Sequence, residues 1–453
     1  MKRFMIAGTN SGCGKTTITC AVLQAMVNRG LHTASFKCGP DYIDPMFHSR
    51  IIGTAAHNLD SFFCDENTLR QLFTENSENA DISVSEGVMG FYDGVGDGDR
   101  GSSHSVSEIL KIPAVIVIDC KGMSSSIGAV MKGFLEYKKN LIAGFIFNRL
   151  PESLAGMAQQ LCNELNTEFL GFFPVCREAE LKSRHLGLVT AAEVTELKEK
   201  MQLLSEIAEK NIDIERLISL SKNVSFPEYT PLNISGISGA ENVTVAVARD
   251  KAFSFIYEDN LNLLKKLGCR IEYFSPLEDC EIPENAAGII ISGGYPELYA
   301  EQLSQNSPMI CDVRKKISGG MPVIAECGGF MYLHSTLEAD KGAEYAMAGI
   351  IPGKAFKTNR LQRFGYINMQ AERDGLLCQA DEIISAHEFH RWDSTACGED
   401  FTAVKASSGK EWKCGHFSKN IYAGFPHIYF YSAPETAANF VKRCVEYINE
   451  KTE

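Results

Sequence analysis

The chain has 453 residues, more than a single hydrophobic core organises, so two or three domains are expected. Apolar residues make up 45% and charged residues 22%, a globular balance, and no apolar run approaches the roughly 20 residues that span a bilayer. The formal net charge of −13 argues against a nucleic-acid surface, which would need a basic patch, so an anionic ligand would be held by local lysines and arginines.

The first residues run directly into an apolar strand and leave no room for a signal peptide, so the cytoplasm is the expected compartment. The fifteen cysteines are scattered and contain no C-x-x-C pair. In a reducing compartment most of them read as small core fillers.

Phe4-Met-Ile-Ala7 followed by Gly8-Thr-Asn-Ser-Gly-Cys-Gly-Lys-Thr-Thr17 predicts a buried strand, a glycine-rich turn and a helix from about Lys15 to Arg29. Phosphate binding needs inward-pointing backbone N–H groups, a lysine that reaches the outer phosphates and a hydroxyl for Mg²⁺. Gly12 and Gly14 supply the first, Lys15 the second and Thr16 the third. Thr9 stands where such loops usually begin with glycine, and the variant still forms a phosphate loop.

A second strand is predicted over about 30–36, followed by a loop over 37–44 with Gly39-Pro40 as its breaker. Asp41, Tyr42 and Asp44 then lie at the carboxyl end of a strand, where doubly wound sheets bind ligands, or else form a solvated turn. The strand over 82–88 ends in Glu86, a carboxylate suited to hold Mg²⁺ opposite a phosphate loop. Asp93, on the glycine-rich stretch beyond, reads either as a contact to a second substrate or as an Asp-Gly turn. Strands over 114–119 and 142–147 follow, and Asn148 offers a side-chain amide to a purine edge or to a turn. After a short strand over 170–174, leucine and isoleucine at helical spacing over 193–220 predict amphipathic helices that close a first domain, 1–220. Alternating strands and helices predict a parallel sheet with right-handed crossovers. The breaker-rich stretch 221–242 reads as a linker.

A second α/β pattern occupies 243–453. It begins with strands over 243–248 and 270–274, separated by a helix over 258–267 that Gly268 stops. A strand from Gly288 ends at Gly293-Gly294. Met321-Pro-Val-Ile-Ala-Glu-Cys327-Gly-Gly predicts a strand, a sharp turn and a helix start, the geometry of a nucleophile elbow, in which a helix N-terminus favours a thiolate. The backbone N–H groups of Gly294 and Gly328 are candidates for an oxyanion site. His427, after an apolar strand, is the candidate base, with His387 and His390 as competitors. The H-E-x-H spacing of 387–390 is not that of a zinc helix.

Taken in order, these motifs resemble the cobyrinate a,c-diamide synthase family along essentially the whole chain. They are the phosphate loop at 8–16, Gly-Pro-Asp-Tyr-Ile-Asp at 39–44, Asn-Leu-Asp-Ser at 58–61, Glu-Gly-Val-Met-Gly-Phe-Tyr-Asp at 86–93 and Arg-His-Leu-Gly-Leu at 184–188. The second half adds Gly-Gly-Tyr-Pro-Glu at 293–297, Glu-Cys-Gly-Gly at 326–329 and His-Glu-Phe-His at 387–390. The resemblance implies two doubly wound α/β domains. The first is a P-loop NTPase-type parallel sheet similar to dethiobiotin synthetase, and the second a flavodoxin-like class I glutaminase.

The resemblance further implies that Cys327 is the glutaminase nucleophile and His427 its partner. ATP would contact Gly8, Thr9, Gly12, Gly14, Lys15, Thr16, Thr17 and Asn148. Mg²⁺ would be held by Thr16 and Glu86 with Asp41. The tetrapyrrole or its intermediate would meet Asp41, Tyr42, Ile43, Asp44, Asp93 and His185. The implied reaction is ATP- and glutamine-dependent amidation of the a and c acetates of cobyrinic acid through acyl phosphates, in cobalamin biosynthesis and its anaerobic branch in particular.

The partners are then cobyrinic acid or a related tetrapyrrole, L-glutamine and ATP, without nucleic acid or membrane, in a monomer or homodimer. A full triad of this type has a glutamate two residues past the histidine, and that position is Tyr429 here. The same motifs serve hydrogenobyrinic acid or nickel sirohydrochlorin. Cobyric acid synthase differs around the phosphate loop and the 41–44 stretch. A ParA/MinD-like ATPase switch would carry an early lysine where this chain has Thr9-Asn10-Ser11, and would lack the cysteine–histidine half.

Overall fold

A computed structural model of the chain describes residues 2–176, 191–221 and 227–452. The chain divides into two compact units, Met1–Leu232 and Asn233–Glu453. The division falls inside the breaker-rich stretch, and the residues just before it stay with the first unit for a local reason. Asn67 clamps Thr230, its Oδ1 accepting the Thr230 N–H at 2.7 Å and its Nδ2 donating to the Thr230 carbonyl at 2.8 Å. The Leu232 N–H donates to Gln71 Oε1 at 2.8 Å.

The first unit is built on a seven-stranded sheet whose paired strands all run parallel. Its strands are β1 (Lys2–Gly8), β2 (Thr33–Cys38), β3 (Ala55–Leu59), β4 (Ile82–Glu86), β5 (Ala114–Asp119), β6 (Ile142–Asn148) and β7 (Glu168–Phe173). A parallel sheet covered on both faces needs near-continuous apolar strands, and Phe4, Met5, Ile6 and Ala7 of β1 are fully buried. The order is β3-β2-β4-β1-β5-β6-β7. It sets the carboxyl ends of β2 and β4 beside the loop that leaves β1, with Lys37 in register with Glu86 and Glu86 with Ile6.

That loop feeds the helix Lys15–Asn28, which is buried at Ile18, Ala21, Val22, Ala25 and Met26 against the sheet core. The amphipathic region near the end of this unit forms two helices, Ala191–Asn211 and Ile214–Leu220. Met201, Leu204 and Ala208 pack into the same core, and Arg29 pairs with Glu209 at 2.7 Å and Glu215 at 2.6 Å.

The second unit centres on a six-stranded sheet. Its order is Arg270–Phe274, Thr244–Ala248, Ala286–Ile291, Val323–Glu326, Ile421–Gly424 and His416–Phe417, antiparallel only at the last pair. The chain between Leu333 and Ile421 builds most of two further sheets, the larger of five antiparallel strands with Arg363–Ala371 and Ile383–His390 at its centre. Sequence patterning leaves these unread, so the unit is more than the expected doubly wound sheet. The short strand His427–Ile428 closes the five-stranded sheet, with His427 opposite His387.

Among the described residues no helix is long and apolar enough to cross a membrane. The cysteines carry no disulfide, and most are buried, with Cys280 and Cys311 exposed.

Candidate active site

The phosphate loop opens at Gly8, and the helix beyond it starts from Gly14, whose φ of 98° only glycine adopts without strain. A β-carbon on Gly14 would also fall 2.0 Å from the amide nitrogen of Asn148. Asn148, at the end of β6, donates from Nδ2 to the Cys13 carbonyl at 2.8 Å and accepts the Arg149 N–H on Oδ1 at 3.0 Å. Its amide thus buttresses the loop from behind, a use that neither the purine-edge nor the turn reading anticipated.

Thr9 donates its N–H to Val117 at 3.1 Å, and Gly12 is exposed at φ 78°. Lys15 is buried and folds back, donating to the Asn10 carbonyl at 3.0 Å and the Met89 carbonyl at 2.6 Å. Burial first, and then repulsion from Lys37, holds its pKa below the usual lysine range. Thr17 is half-buried on the first helical turn.

Thr16 donates its hydroxyl to Glu86 Oε1 at 2.5 Å. Glu86 is completely buried and also meets Lys37 Nζ at 2.9 Å and His48 Nε2 at 3.4 Å. Lys37 in turn pairs with Asp44 at 2.7 Å. Burial alone would raise the Glu86 pKa, but Lys37, His48 and Thr16 outweigh it and hold Glu86 well below the usual carboxylate range. Asp44 is left with the other outcome: burial and the charge of Glu86 push it up to about 8. One lysine between two buried carboxylates secures the ionised state of only one of them.

The oxygens of Thr16 and Glu86 are the hard donors that Mg²⁺ takes, and their adjacency fits such an ion. Asp41, assigned to that set from the sequence, spends Oδ1 on the turn and accepts the N–H groups of Ile43 at 2.7 Å and Asp44 at 3.1 Å. Tyr42 precedes the short helix Ile43–Phe47, and Ile43 packs against the core. Asn58 of β3 ties this turn down, donating to the carbonyls of Gly39 at 3.0 Å and Asp41 at 2.7 Å. Asp93 is exposed and closes its own turn by accepting the Gly90 N–H at 2.8 Å. His185 lies outside the described residues.

Lys37 and His48 escaped the sequence reading. The available signal was a lysine within two residues of the Gly39-Pro40 breaker, at a strand end, where an isolated cation has no reason to be buried unless anions face it.

In the second unit, the strand Val323–Glu326 turns sharply at Cys327 into the helix Gly328–Leu333. Cys327 has φ 49° and ψ −100°, a strained conformation for a residue with a β-carbon. Its N–H donates to Gly424 at 2.8 Å and its carbonyl accepts from Met331 at 2.9 Å, so both sides of the turn are held. A β-carbon on Gly329 would lie 1.9 Å from the Ile291 carbonyl oxygen, and one on Gly293 would lie 2.4 Å from His427 Cε1. The Gly294 nitrogen is 3.0 Å from where a β-carbon on Gly328 would sit, so the two glycines named as an oxyanion site do adjoin.

His427, not His387 or His390, is hydrogen-bonded to the Cys327 thiol. On its other side, Nδ1 faces Glu326 Oε2 at 3.7 Å. Burial pulls the imidazole pKa down, but Cys327 and Glu326 outweigh it and push it up to about 10. His387 is buried opposite, its pKa pushed down to about 3 by burial and then by the charge of His427. His390 stacks on Phe425 and places Nδ1 2.6 Å from the Trp392 carbonyl. Among the described residues no group of three or more His, Cys, Asp or Glu side chains is arranged to hold a metal ion.

Residues 4–188 match the CobQ/CobB/MinD/ParA nucleotide binding domain, and residues 244–435 match the CobB/CobQ-like glutamine amidotransferase domain. The cobyrinate a,c-diamide synthase of Caldanaerobacter subterraneus subsp. tengcongensis is 36% identical over 97% of this chain and 98% of its own. Those of Listeria innocua and Salmonella typhimurium are each 39% identical, over 96% and 95% of this chain and 97% and 96% of theirs. The chain belongs to the cobyrinate a,c-diamide synthase family. As a member of this family it is a ligase of cobalamin biosynthesis that forms carbon–nitrogen bonds with glutamine as nitrogen donor, and its first half is an ATP-binding domain.

Proposed function

We propose that the chain converts the a and c acetate side chains of cobyrinic acid to carboxamides, one glutamine and one ATP per amide. The observation that carries this reading is the hydrogen-bonded Cys327–His427 pair on a strained elbow in a chain whose other unit holds a phosphate loop beside Glu86. The names of the relatives supply the macrocycle.

The Cys327 thiolate attacks the carboxamide carbon of glutamine, and His427 gives its proton to the departing ammonia. The N–H groups of Gly294 and Gly328 are the candidates to receive the oxyanion. Water then attacks the thioester and releases glutamate. In the first unit, ATP transfers its γ-phosphoryl group to an acetate carboxylate. Ammonia attacks the resulting acyl phosphate, and phosphate leaves as the amide forms. Lys15 and the loop N–H groups, including Gly12 and Gly14, neutralise the phosphates, while Asn148 keeps the loop in shape. Thr16 and Glu86 would hold Mg²⁺, which when bound offsets charge on the phosphate oxygens. Asp41, Tyr42, Asp44, Asp93 and His185 remain candidates for the macrocycle.

A histidine whose pKa is raised to about 10 is imidazolium throughout the neutral range and loses that proton only above it. The groups facing it are Cys327 and Glu326, with His387 on the neighbouring strand. The kcat/KM for glutamine hydrolysis is therefore expected to hold through pH 9 and to fall with an apparent pKa near 10 that belongs to the coupled pair. A rise in activity on crossing about pH 6.5, with no alkaline limb, would instead make neutral imidazole the working form.

The test of the whole reading is a mass-resolved assay with ATP, Mg²⁺ and glutamine, offering cobyrinic acid, hydrogenobyrinic acid and nickel sirohydrochlorin in parallel. Conversion of cobyrinic acid to its diamide is the expected result. Turnover of only one of the other two macrocycles would reassign the substrate, and ATP hydrolysis without nitrogen transfer to any of them would remove the reading.

A further inference from the structure

A histidine that serves a thiolate needs its far nitrogen held, so that the ring keeps one orientation and one tautomer. The residue two past His427 cannot do this. Tyr429 is buried, and its hydroxyl lies 3.0 Å from Asp259 Oδ2, where it is committed to the helix Glu258–Lys266.

A carboxylate does reach the ring, from the nucleophile's own strand. Glu326 ends the strand Val323–Glu326, directly before Cys327, and pairs in register with Gly424, so its side chain meets the segment that carries His427. It is buried at 6% exposure. Oε1 accepts the Ile428 N–H at 2.9 Å, and Oε2 stands 3.7 Å from His427 Nδ1. The imidazole therefore lies between two consecutive residues, the Glu326 carboxylate on one side and the Cys327 thiol on the other.

We propose that Glu326 is the positioning residue of the glutaminase, fixing His427 through Nδ1 in place of the glutamate that Tyr429 displaces. The proposal rests on the Cys327–His427 reading above. Its physical content is a charge order of carboxylate, imidazolium, thiolate. Each anion favours the proton that the histidine carries, and the Ile428 N–H locks the carboxylate in place. Catalytic contacts of this kind are often long without ligand and shorten when substrate closes the site.

Glu326→Gln separates this role from a merely structural one. Glutamine keeps the size of the side chain and can still accept the Ile428 N–H. Its NH₂ group then faces Nδ1, which must give up its proton to accept, so the ring loses its positive charge and with it the ion pair to the thiolate. In the full-length chain, E326Q is expected to lower kcat for glutamine hydrolysis by about 10²-fold or more, with KM for glutamine changed less than about two-fold. ATP-dependent amidation with ammonium as nitrogen donor should be unchanged. E326D, which restores the charge at shorter reach, should recover part of the lost kcat.

A parental kcat in E326Q would overturn the proposal and leave Glu326 as a partner of the Ile428 backbone only. E326D no better than E326Q would also overturn it, because charge would not be the operative property. Failure of the underlying reading looks different: C327A would then continue to hydrolyse glutamine.

Discussion

Cys327→Ala is expected to lose glutamine hydrolysis by at least about 10³-fold in kcat, while ammonium-driven amidation continues at the parental rate. The side chain is 7% exposed and sits at a backbone position that already tolerates a β-carbon at φ 49°, so removing the sulfur alone should leave the elbow intact. Its backbone bonds to Gly424 and Met331 involve no side-chain atom and survive the change. What disappears is the only group at the turn able to form a thioester. A single-turnover experiment with labelled glutamine should trap that thioester in the parent and not in the variant. Glutamine-dependent amidation that persists in C327A would show that nitrogen is released elsewhere, and the elbow would lose its assignment.

Lys37→Met should strongly destabilise the first unit. The lysine is buried between Asp44 at 2.7 Å and Glu86 at 2.9 Å, and Glu86 has no exposed surface. Removing one partner of a buried ion pair typically costs about 3–5 kcal/mol, because the remaining charge has no compensation. For a unit of this size that corresponds to a fall in melting temperature of about 10 °C, measurable by scanning calorimetry.

The sign of its pH dependence follows from linkage. Without the lysine, both carboxyls stay protonated in the folded state to higher pH than in the unfolded chain, so the folded state binds more protons and stability falls as pH rises above about 4. The deficit should therefore be small near pH 4 and largest near pH 8. Adding Asp44→Asn should recover part of it, since one buried carboxylate is easier to satisfy than two, with Thr16 and His48 still facing Glu86. A deficit below about 1 kcal/mol that does not vary with pH would mean that Lys37 is not the counter-charge of this cluster.

The contrast between the two sites is instructive. The phosphate loop and the elbow were legible because each is a local pattern: an apolar strand, small residues where backbones must approach closely, and a helix start. Local sterics and hydrogen bonding suffice to specify such a turn. The two smaller sheets over 334–428, one mixed and one antiparallel, were not, because their strands mix polar and apolar residues and include breakers. Ile351-Pro-Gly-Lys-Ala-Phe-Lys357 forms a strand although it carries both proline and glycine. Its neighbours His334–Glu338 and Trp392–Ser394 supply pairing that no local window contains.

By itself, then, the chain's sequence determined the local turns and the residues set on them: Lys15 and Thr16 after a glycine-rich turn, Cys327 at an elbow, and a histidine after a strand. The tertiary structure decided which of them meet. It chose His427 over His387 and His390, placed Glu326 against the imidazole in the absence of a glutamate at position 429, and inserted Lys37 between Glu86 and Asp44. The physical reason is strand register. Lys37 faces Glu86 because β2 pairs with β4, and Glu326 reaches the His427 segment because its strand pairs with Ile421–Gly424. Such pairings join residues about 50 to 100 positions apart, and their free energy comes from the burial of whole sheets rather than from any short stretch of chain.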